Sequence, residues 1–344
     1  MGIPNVRLGR ISVILVRRLL FIIPILFGVI TLTFFATRLA GGDPAYLIAG
    51  AFATPEVVAD IQERLGTDQS IGQQYIDFLT DAVQLDFGTS IFTGNPVVED
   101  LAERLPATLE LIIFSLIFGL VVGVTGGVIA ARRRGRAADK TVNATSFGLL
   151  SLPDFWFGLI LLFVFFFKLG WAPAPVGQLG ADDPKPDDIT GAAVIDSIIT
   201  LNGPALKASV GHAVLPVITL GLLISAPIAR LTRSSMIDAL QSDFLQFGRA
   251  CGLPSARLRR YALRAALPPV VTWAGIVFTV LIGAAVLIEV IFSWGGAAQY
   301  AATAIIQNDY PAIQAFVLVA GVISVITFLV VDLLYVLLDP RVKL

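Results

Sequence analysis

The sequence predicts an all-α polytopic membrane protein with six transmembrane helices. Hydrophobic residues make up 56% of the 344 residues and charged residues only 14%, whereas soluble domains contain roughly half and a quarter. Six apolar runs are also long enough for the about 20 helical residues that a bilayer crossing requires. The runs are Ile11–Ala36, Thr108–Ala131, Ala144–Leu169, Val210–Ala229, Pro268–Phe292 and Ala312–Leu338.

The first run follows several arginines, as the apolar core of a secretory signal would. A signal core is shorter, however, and ends in a small-residue cleavage site. We therefore assign residues 11–39 to a retained transmembrane helix that follows a cytoplasmic N-terminus of residues 1–10. The remaining five helices form a transmembrane core over residues 108–338.

Basic residues are concentrated in alternate connecting segments. Segments 40–107 and 171–209 hold eleven and five acidic residues, with two basic residues each. Residues 132–140 hold five basic residues, and seven arginines lie between Arg230 and Arg264. Because basic loops face the cytoplasm, we predict that the two acidic segments lie outside. The C-terminus, residues 339–344, is then cytoplasmic.

The two acidic segments differ in their predicted structure. Segment 40–107 is too long for a simple connection, and it contains a helix start at Thr54 to Glu56 and a helix end at Gly66. We therefore predict a small extracytoplasmic cap between helices 1 and 2. In the outer loop 171–209, residues 173–191 are rich in Pro, Gly and Asp, which is typical of turns. We assign them no regular structure.

The stretch 243–269, which we call the basic corner, lies between two apolar runs yet contains five arginines. Gly252 suits a helix end, and Pro254 can begin a second helix. We expect a helix, a glycine turn and a short basic amphipathic helix. The apolar face of the first helix is predicted to comprise Met236, Leu240, Phe244 and Phe247. The second helix is predicted to place Leu258, Tyr261, Ala262 and Ala265 on one face and Arg257, Arg260 and Arg264 on another.

Motifs for catalysis or cofactor binding are missing from the sequence. There is no GxxxxGK[ST] phosphate loop. His212 is the single histidine and has no HExxH context; we expect it to be solvated at the edge of the fourth span. The charges are segregated along the chain, with a net charge of −1, and do not indicate nucleic acid. We expect neither an enzyme nor a bound cofactor or metal.

Some polar and aromatic residues near the span ends are candidates for a transport path. Glu289 lies near the outer end of the fifth span, where lining of a path or gate and simple interfacial solvation are equal alternatives. Asp332 lies in the sixth span and is predicted to have a structural pairing role. Trp294, Phe155 and Trp156 are further candidates for the path or gate.

Nine short motifs, each different from the others, are distributed along nearly the whole chain. They are RRLLFIIPILFGV at 17–29, TRLAGGDPA at 37–45, LGTDQS at 65–70, RLPATLEL at 104–111, SLPDFWFGL at 151–159, KLGWAPA at 168–174, EVIFSW at 289–294, NDYP at 308–311 and VVDLLYVLLDPR at 330–341. Together with the basic corner, these stretches resemble ABC-transporter permease subunits of the dipeptide and oligopeptide branch. The resemblance implies the type I ABC importer permease fold.

The resemblance also implies that a coupling segment, residues 230–267, docks on a separate ATP-binding subunit. The alternative is that its arginines only orient the loop inward. The residues implied in docking are Phe247, Gly248, Arg249, Ala250, Cys251, Gly252, Leu253, Arg257 and Arg260. Family members commonly differ from this chain at Gly248, Cys251, Tyr261 and Ala265, and they have a PG-x-G turn where it has Gly295–Ala298.

The partners implied by the resemblance are a second, non-identical permease, two ATP-binding subunits or one fused ATPase, and an extracytoplasmic binding protein. ATP and Mg would bind to the ATPase subunits, and the assembly would lie in a bacterial plasma membrane. Gly119, Gly123 and Gly127 permit close helix contact, either as an internal seam or with the second permease.

The predicted function is half of the translocation path for dipeptides or short oligopeptides. Nickel, glutathione or another small solute is an alternative substrate for the same architecture. An ion-coupled secondary transporter is a rival from another class, although the sequence shows no internal repeat. A non-transporting receptor or scaffold would leave the basic corner without a purpose.

Overall fold

A computed structural model describes Leu20 and residues 23–38, 44–50 and 53–338. This part of the chain is helical, and its β-pairing is limited to one isolated bridge between Thr89 and Pro96. The predicted all-α class is therefore confirmed. The cytoplasmic N-terminus 1–10, most of the first half of helix 1 and the C-terminus 339–344 lie outside the described residues.

The described helices are numbered in chain order. They are α1 (Ile23–Arg38), α2 (Pro44–Ala49), α3 (Pro55–Leu65), α4 (Ile71–Gln84), α5 (Val97–Arg132), α6 (Ala137–Leu150), α7 (Asp154–Leu161, continued by a π-helical segment Leu162–Lys168), α8 (Ala193–Ile199), α9 (Gly203–Gln241), α10 (Asp243–Ala250), α11 (Ser255–Phe292), α12 (Ala297–Gln307) and α13 (Tyr310–Leu338).

Four helices are long and apolar enough to cross a membrane, namely α5, α9, α11 and α13. The third predicted span is instead two helices, α6 and α7, that meet at an angle of 104°. Proline disfavours a helical conformation in the residue before it, and Pro153 has the extended backbone that begins α7. The described residues thus contain four spans, or five if the bent pair is one span.

Two helices extend beyond the predicted apolar spans. The helix that contains the second span begins at Val97, before Thr108, and includes Pro106. The short basic helix and the fifth span, predicted as separate, form the single helix α11 through Pro268 and Pro269. Proline lacks an N–H and strains a helix. The carbonyl of Arg264 therefore has no helical donor at Pro268, but Arg264 is exposed. That carbonyl can bond to water instead.

The chain divides into two compact units, each with its own core. One comprises residues up to Pro106 together with Gly295–Val325. There α3 has the predicted bounds, with Gly66 in the left-handed region at φ 65°. Its buried cluster includes Val97, Leu101 and Tyr300. Nearby, the Ser90 hydroxyl donates to buried Asp309 at 2.5 Å.

The other unit comprises Ala107–Trp294 with residues from 326 on. In this unit α5 and α9 pack closely at positions where both helices have glycine. A Cβ on Gly123 would lie 2.7 Å from the Ser225 carbonyl oxygen, and one on Gly221 would lie 2.8 Å from that of Ser115. Backbones can approach this closely only at glycine. We call this contact of Gly119, Gly123, Gly127 and Gly221 the glycine seam; it is internal to the chain, which resolves the alternative left open by the sequence.

Candidate docking and transport sites

The basic corner is a separate short helix between two long ones. Helix α9 ends at Gln241, and Ser242 has extended backbone with ψ 147° before α10 begins. Helix α10 ends at Ala250, and Gly252 follows in the left-handed region at φ 73°. The predicted glycine turn is confirmed. The predicted continuous face from Met236 to Phe247 is wrong, because the chain changes direction at Ser242.

One side of α10 is fixed to the rest of its unit. Leu245 is 1% exposed and packs in a cluster with Met236 of α9, Leu258 and Ala262 of α11, and the end of α5. Gly248 is buried as well, and a Cβ there would come within 2.9 Å of a Leu258 methyl group. Its small size therefore serves the close packing of α10 on α11.

The opposite side of α10 is apolar yet exposed. Phe247 is 72% exposed and Phe244 is 52% exposed. Six further implied docking residues are exposed, whereas Gly248 is buried and Leu253 is half-buried; the exposed ones are Arg249, Ala250, Cys251, Gly252, Arg257 and Arg260. Unpartnered aromatic surface beside arginines is typical of a protein-binding patch. On α11, Tyr261 and Ala265 are exposed, whereas Leu258, Ala262 and Ala266 are buried, so the predicted face divides between a packed and an exposed side.

An ion pair lies where the glycine seam approaches the basic corner. The Arg233 guanidinium of α9 binds the buried Asp139 carboxylate of α6 through two nitrogens, at 2.5 and 2.9 Å. The Gly135 N–H donates to the same carboxylate at 2.8 Å. Since a bidentate pair fixes geometry as well as charge, it ties α6 to α9. The basic cluster at 132–140 had suggested only membrane orientation.

Two path candidates are buried and bonded. The Glu289 side chain is fully buried, and its Oε1 accepts a hydrogen bond from the Thr108 hydroxyl at 2.6 Å. Trp294 is 2% exposed, and its indole N–H donates to the Ala107 carbonyl oxygen at 2.9 Å. These contacts join α5 to the end of α11. Simple solvation of Glu289 does not fit its burial, and a gate role for either residue stays a prediction.

The other candidates lie nearer the surface of their helices. Phe155 is 43% exposed and Trp156 is 46% exposed on α7. Asp332 is half-buried in α13. Their predicted roles stay predictions. Beside the bend between α6 and α7, where Asp154 begins α7, a cavity of about 250 Å³ is bounded by apolar residues of α6, α9 and α11.

The loop of residues 171–192 has no helix or strand, as predicted for 173–191, but it is held by side chains. His212 is 9% exposed, and its Nε2 lies 2.9 Å from Asp183 Oδ2. The expectation of a solvated histidine is therefore wrong. The Gly180 N–H and His212 both hydrogen-bond the Asp183 carboxyl and hold its pKa below its usual range. The buried Asp196 likewise accepts from three backbone N–H groups of residues 189–191.

The sequence does not predict the short helix that follows this loop. Helix α8 begins at Ala193, and the buried Glu110 carboxylate of α5 accepts hydrogen bonds from the N–H groups of Val194 and Ile195, at 3.4 and 2.9 Å. Acceptors at a helix start satisfy amides that have no helical partner. In the sequence, Glu110 is part of the family motif RLPATLEL, which does not indicate that it contacts a helix start.

A polar cavity lies between the predicted cap segment and residues of α1 and α13. Its volume is about 390 Å³, and Arg38, Asp77, Asp81 and Asp86 are among its lining residues. Burial, followed by the nearby charges of Asp86 and Asp77, raises the pKa of Asp81. Among the described residues, no group of three or more His, Cys, Asp or Glu is placed to hold a metal.

These features define a multi-pass helical membrane protein that exposes a short helix between two spans. Residues 123–344 match the family described as the binding-protein-dependent transport system inner membrane component, and residues 11–112 match its N-terminal counterpart. The chain belongs to this family. It is therefore a transport permease subunit.

Several curated relatives are similar over almost their entire length. The dipeptide transport system permease protein DppB of Alkalihalophilus pseudofirmus is 39% identical over 95% of this chain and 98% of its own length. The di/tripeptide transport system permease protein DppB of Pseudomonas aeruginosa is 38% identical over 95% and 97%. The glutathione transport system permease protein GsiC of Escherichia coli K12 is 34% identical over 95% and 98%.

Proposed function

We propose that this chain is one permease subunit of an ATP-driven importer for dipeptides or short oligopeptides. The observation that carries the proposal is the exposed apolar side of α10, with Phe247 72% exposed between two long apolar helices. The similarity to dipeptide and di/tripeptide permeases favours peptides as substrates. Glutathione is the alternative substrate, because a glutathione permease is also similar.

The basic corner would seat α10 in a groove of an ATP-binding subunit that binds ATP and Mg. Leu245 and the cluster around it support this role, because they fix the inner side of α10 to three helices. A push on the exposed side would therefore move α9 and α11 as well. A flexible loop would absorb such a push, whereas this packed helix transmits it.

The complete transporter would include a second, similar permease and an extracytoplasmic binding protein. The acidic segment 40–107 would form the outer cap that receives the binding protein, and the first helix would complete six spans. Both termini would then lie in the cytoplasm, in agreement with the charges of residues 132–140 and 230–264. Alternating access would follow the nucleotide state of the ATPases.

Co-purification and vesicle transport test the proposal with Gly252→Pro. Proline fixes φ near −65°, but Gly252 has φ 73° and donates its N–H to the Arg249 carbonyl. We expect ATPase subunits to co-purify with the wild-type chain, and the variant to lose uptake relative to ATP hydrolysis. Uptake that follows a proton gradient without any retained ATPase would contradict the proposal and favour a secondary transporter.

A further inference from the structure

The cavity at the bend of α6 and α7 has one charged group in an apolar wall. Its aliphatic lining includes Leu150, Leu223 and Val277, and Asp154 is the single ionisable residue in that lining. Leu223 and Val277 lie near the middle of α9 and α11, two helices long enough to span a membrane. A carboxylate at such depth is costly and usually faces a partner or a transported solute.

Asp154 is half-buried and lacks the partners that the buried carboxylates of its unit have. Asp139 binds Arg233, Glu110 accepts two backbone N–H groups, and Glu289 accepts the Thr108 hydroxyl. By contrast, no hydrogen bond or ion pair reaches the Asp154 carboxylate from any residue that the structure describes. An unpaired charge beside apolar walls is unfavourable. A cationic group that entered the cavity would relieve this cost.

Two further features of the cavity favour a cation. Pro227 borders it and has no N–H, so the carbonyl of Leu223, another lining residue, has no donor one helical turn later. The indole of Trp273 also lines the cavity and is 36% exposed. Aromatic faces attract ammonium groups. The cavity thus combines a carboxylate, a carbonyl without its usual helical donor and an aromatic ring with aliphatic walls.

A purely structural role for Asp154 predicts something different. An acidic residue in the first turn of α7 stabilises the helix through the helix dipole. That role requires no particular chemistry in the cavity. It also predicts no dependence on the chemical form of a transported solute, which gives the test a clear readout.

We propose that Asp154 binds the protonated α-amino group of a short peptide as the peptide passes through this cavity. The apolar side chains of the peptide would then contact the aliphatic walls formed by α9 and α11. The inference rests on the proposed import of peptides, and it assigns to Asp154 the recognition of a free N-terminus. A solute without a cationic amine would gain nothing from Asp154.

Transport by the complete system in vesicles gives the first test. Wild type is compared with Asp154→Asn, with Asp154→Glu and with Asp182→Asn, which removes an exposed carboxylate of the outer loop. At saturating loaded binding protein, we expect Asp154→Asn to lower dialanine uptake per ATP about ten-fold, because a charge-assisted bond is lost. Asp154→Glu should recover most of the uptake, and Asp182→Asn should match wild type. If Asp154→Asn takes up dialanine as well as wild type does, the inference is wrong.

Equilibrium dialysis of the solubilised transporter without binding protein separates this inference from the proposed function. Wild type should bind dialanine about ten-fold more tightly than N-acetyl-dialanine, and Asp154→Asn should bind both alike. Equal binding of the two peptides by wild type would overturn the role of Asp154, whatever the vesicles transport. If wild-type vesicles take up no peptide at all, the proposed function is wrong. Dialysis still shows whether Asp154 binds the amino group of a peptide.

Discussion

The glycine seam and the basic corner both depend on glycine, but for opposite reasons. In the seam, Gly123 leaves no room for a side chain, since a Cβ would lie 2.7 Å from backbone oxygen of α9. In the corner, Gly252 has open space around it and supplies only a left-handed backbone conformation. The seam is thus completed within the chain, whereas the corner is fixed on one side and left uncovered on the other.

The largest expected effect comes from filling the seam. Gly123→Leu forces α5 away from α9, and overpacking of this kind costs about 3 kcal/mol of unfolding free energy. Gly283→Leu is the matched control, because Gly283 of α11 is exposed and has nothing within 4 Å of a built Cβ. Thermal unfolding in detergent should show a marked loss for Gly123→Leu alone. Equal losses in the two variants would contradict the internal seam.

The corner should respond in the opposite way, with function lost and stability kept. Phe247→Ala removes a side chain that makes little contact within the chain, and we expect binding of the ATPase subunit to weaken by about 2 kcal/mol. Phe167→Ala, which removes a phenylalanine 69% exposed beside α7, should leave ATPase binding unchanged. Affinity co-purification and thermal unfolding of both variants measure the two effects. Unfolding of Phe247→Ala at a lower temperature, with ATPase binding retained, would refute the docking role.

Asp139→Asn tests the ion pair with Arg233, which lies between the glycine seam and the basic corner. The Arg233 guanidinium would lose its carboxylate partner, but it is 27% exposed and water can solvate it. We expect a cost of about 1–2 kcal/mol, below that of a fully buried pair. Thermal unfolding of Asp139→Asn, Arg233→Gln and the double variant measures the coupling. Additive losses in that cycle would mean that the pair contributes no interaction energy.

Gly252→Ala tests whether the corner needs only a backbone conformation. Alanine at φ 73° costs about 1 kcal/mol relative to glycine, and no neighbour lies within 4 Å of the added methyl group. Gly148→Ala, within α6 and equally open, should instead be neutral or slightly stabilising. Unfolding temperatures of the two variants decide this. A loss as large as that of Gly123→Leu would show that space, not conformation, limits the corner.

The smallest expected effect is a loss of local stability in acid, in the loop of residues 171–192 that contains Asp183. Folding lowers the pKa of Asp183, so its stabilising contribution is complete above the ordinary aspartate pKa of about 3.9. That contribution is lost as pH falls through the lowered folded value. The protection factor of the Gly180 amide, which corrects for the pH dependence of intrinsic hydrogen exchange, should therefore fall in acid. Asp183→Asn should remove this dependence, and Asp187→Asn, an exposed neighbour, should preserve it.

The sequence by itself determined the helical class, the apolar runs and the glycine turn at Gly252. These features follow from local composition and backbone preference, which act over a few residues. It also determined the family, because motifs in a fixed order are readable without coordinates. It could not place the break at Ser242 or the continuation of α11 through Pro268, since helix ends depend on what each turn packs against.

Only the tertiary structure decided which residues work together. The pairs Asp139 with Arg233 and Asp183 with His212 are separated by 94 and 29 residues, so no periodicity links them. The glycine spacing of α5 permitted close contact but did not name α9 as the partner. Likewise Asp154 was part of a motif in the sequence, and its unpaired charge became visible only where three other helices enclose the cavity. Long-range packing selects partners, and local sequence only prepares the surfaces that meet.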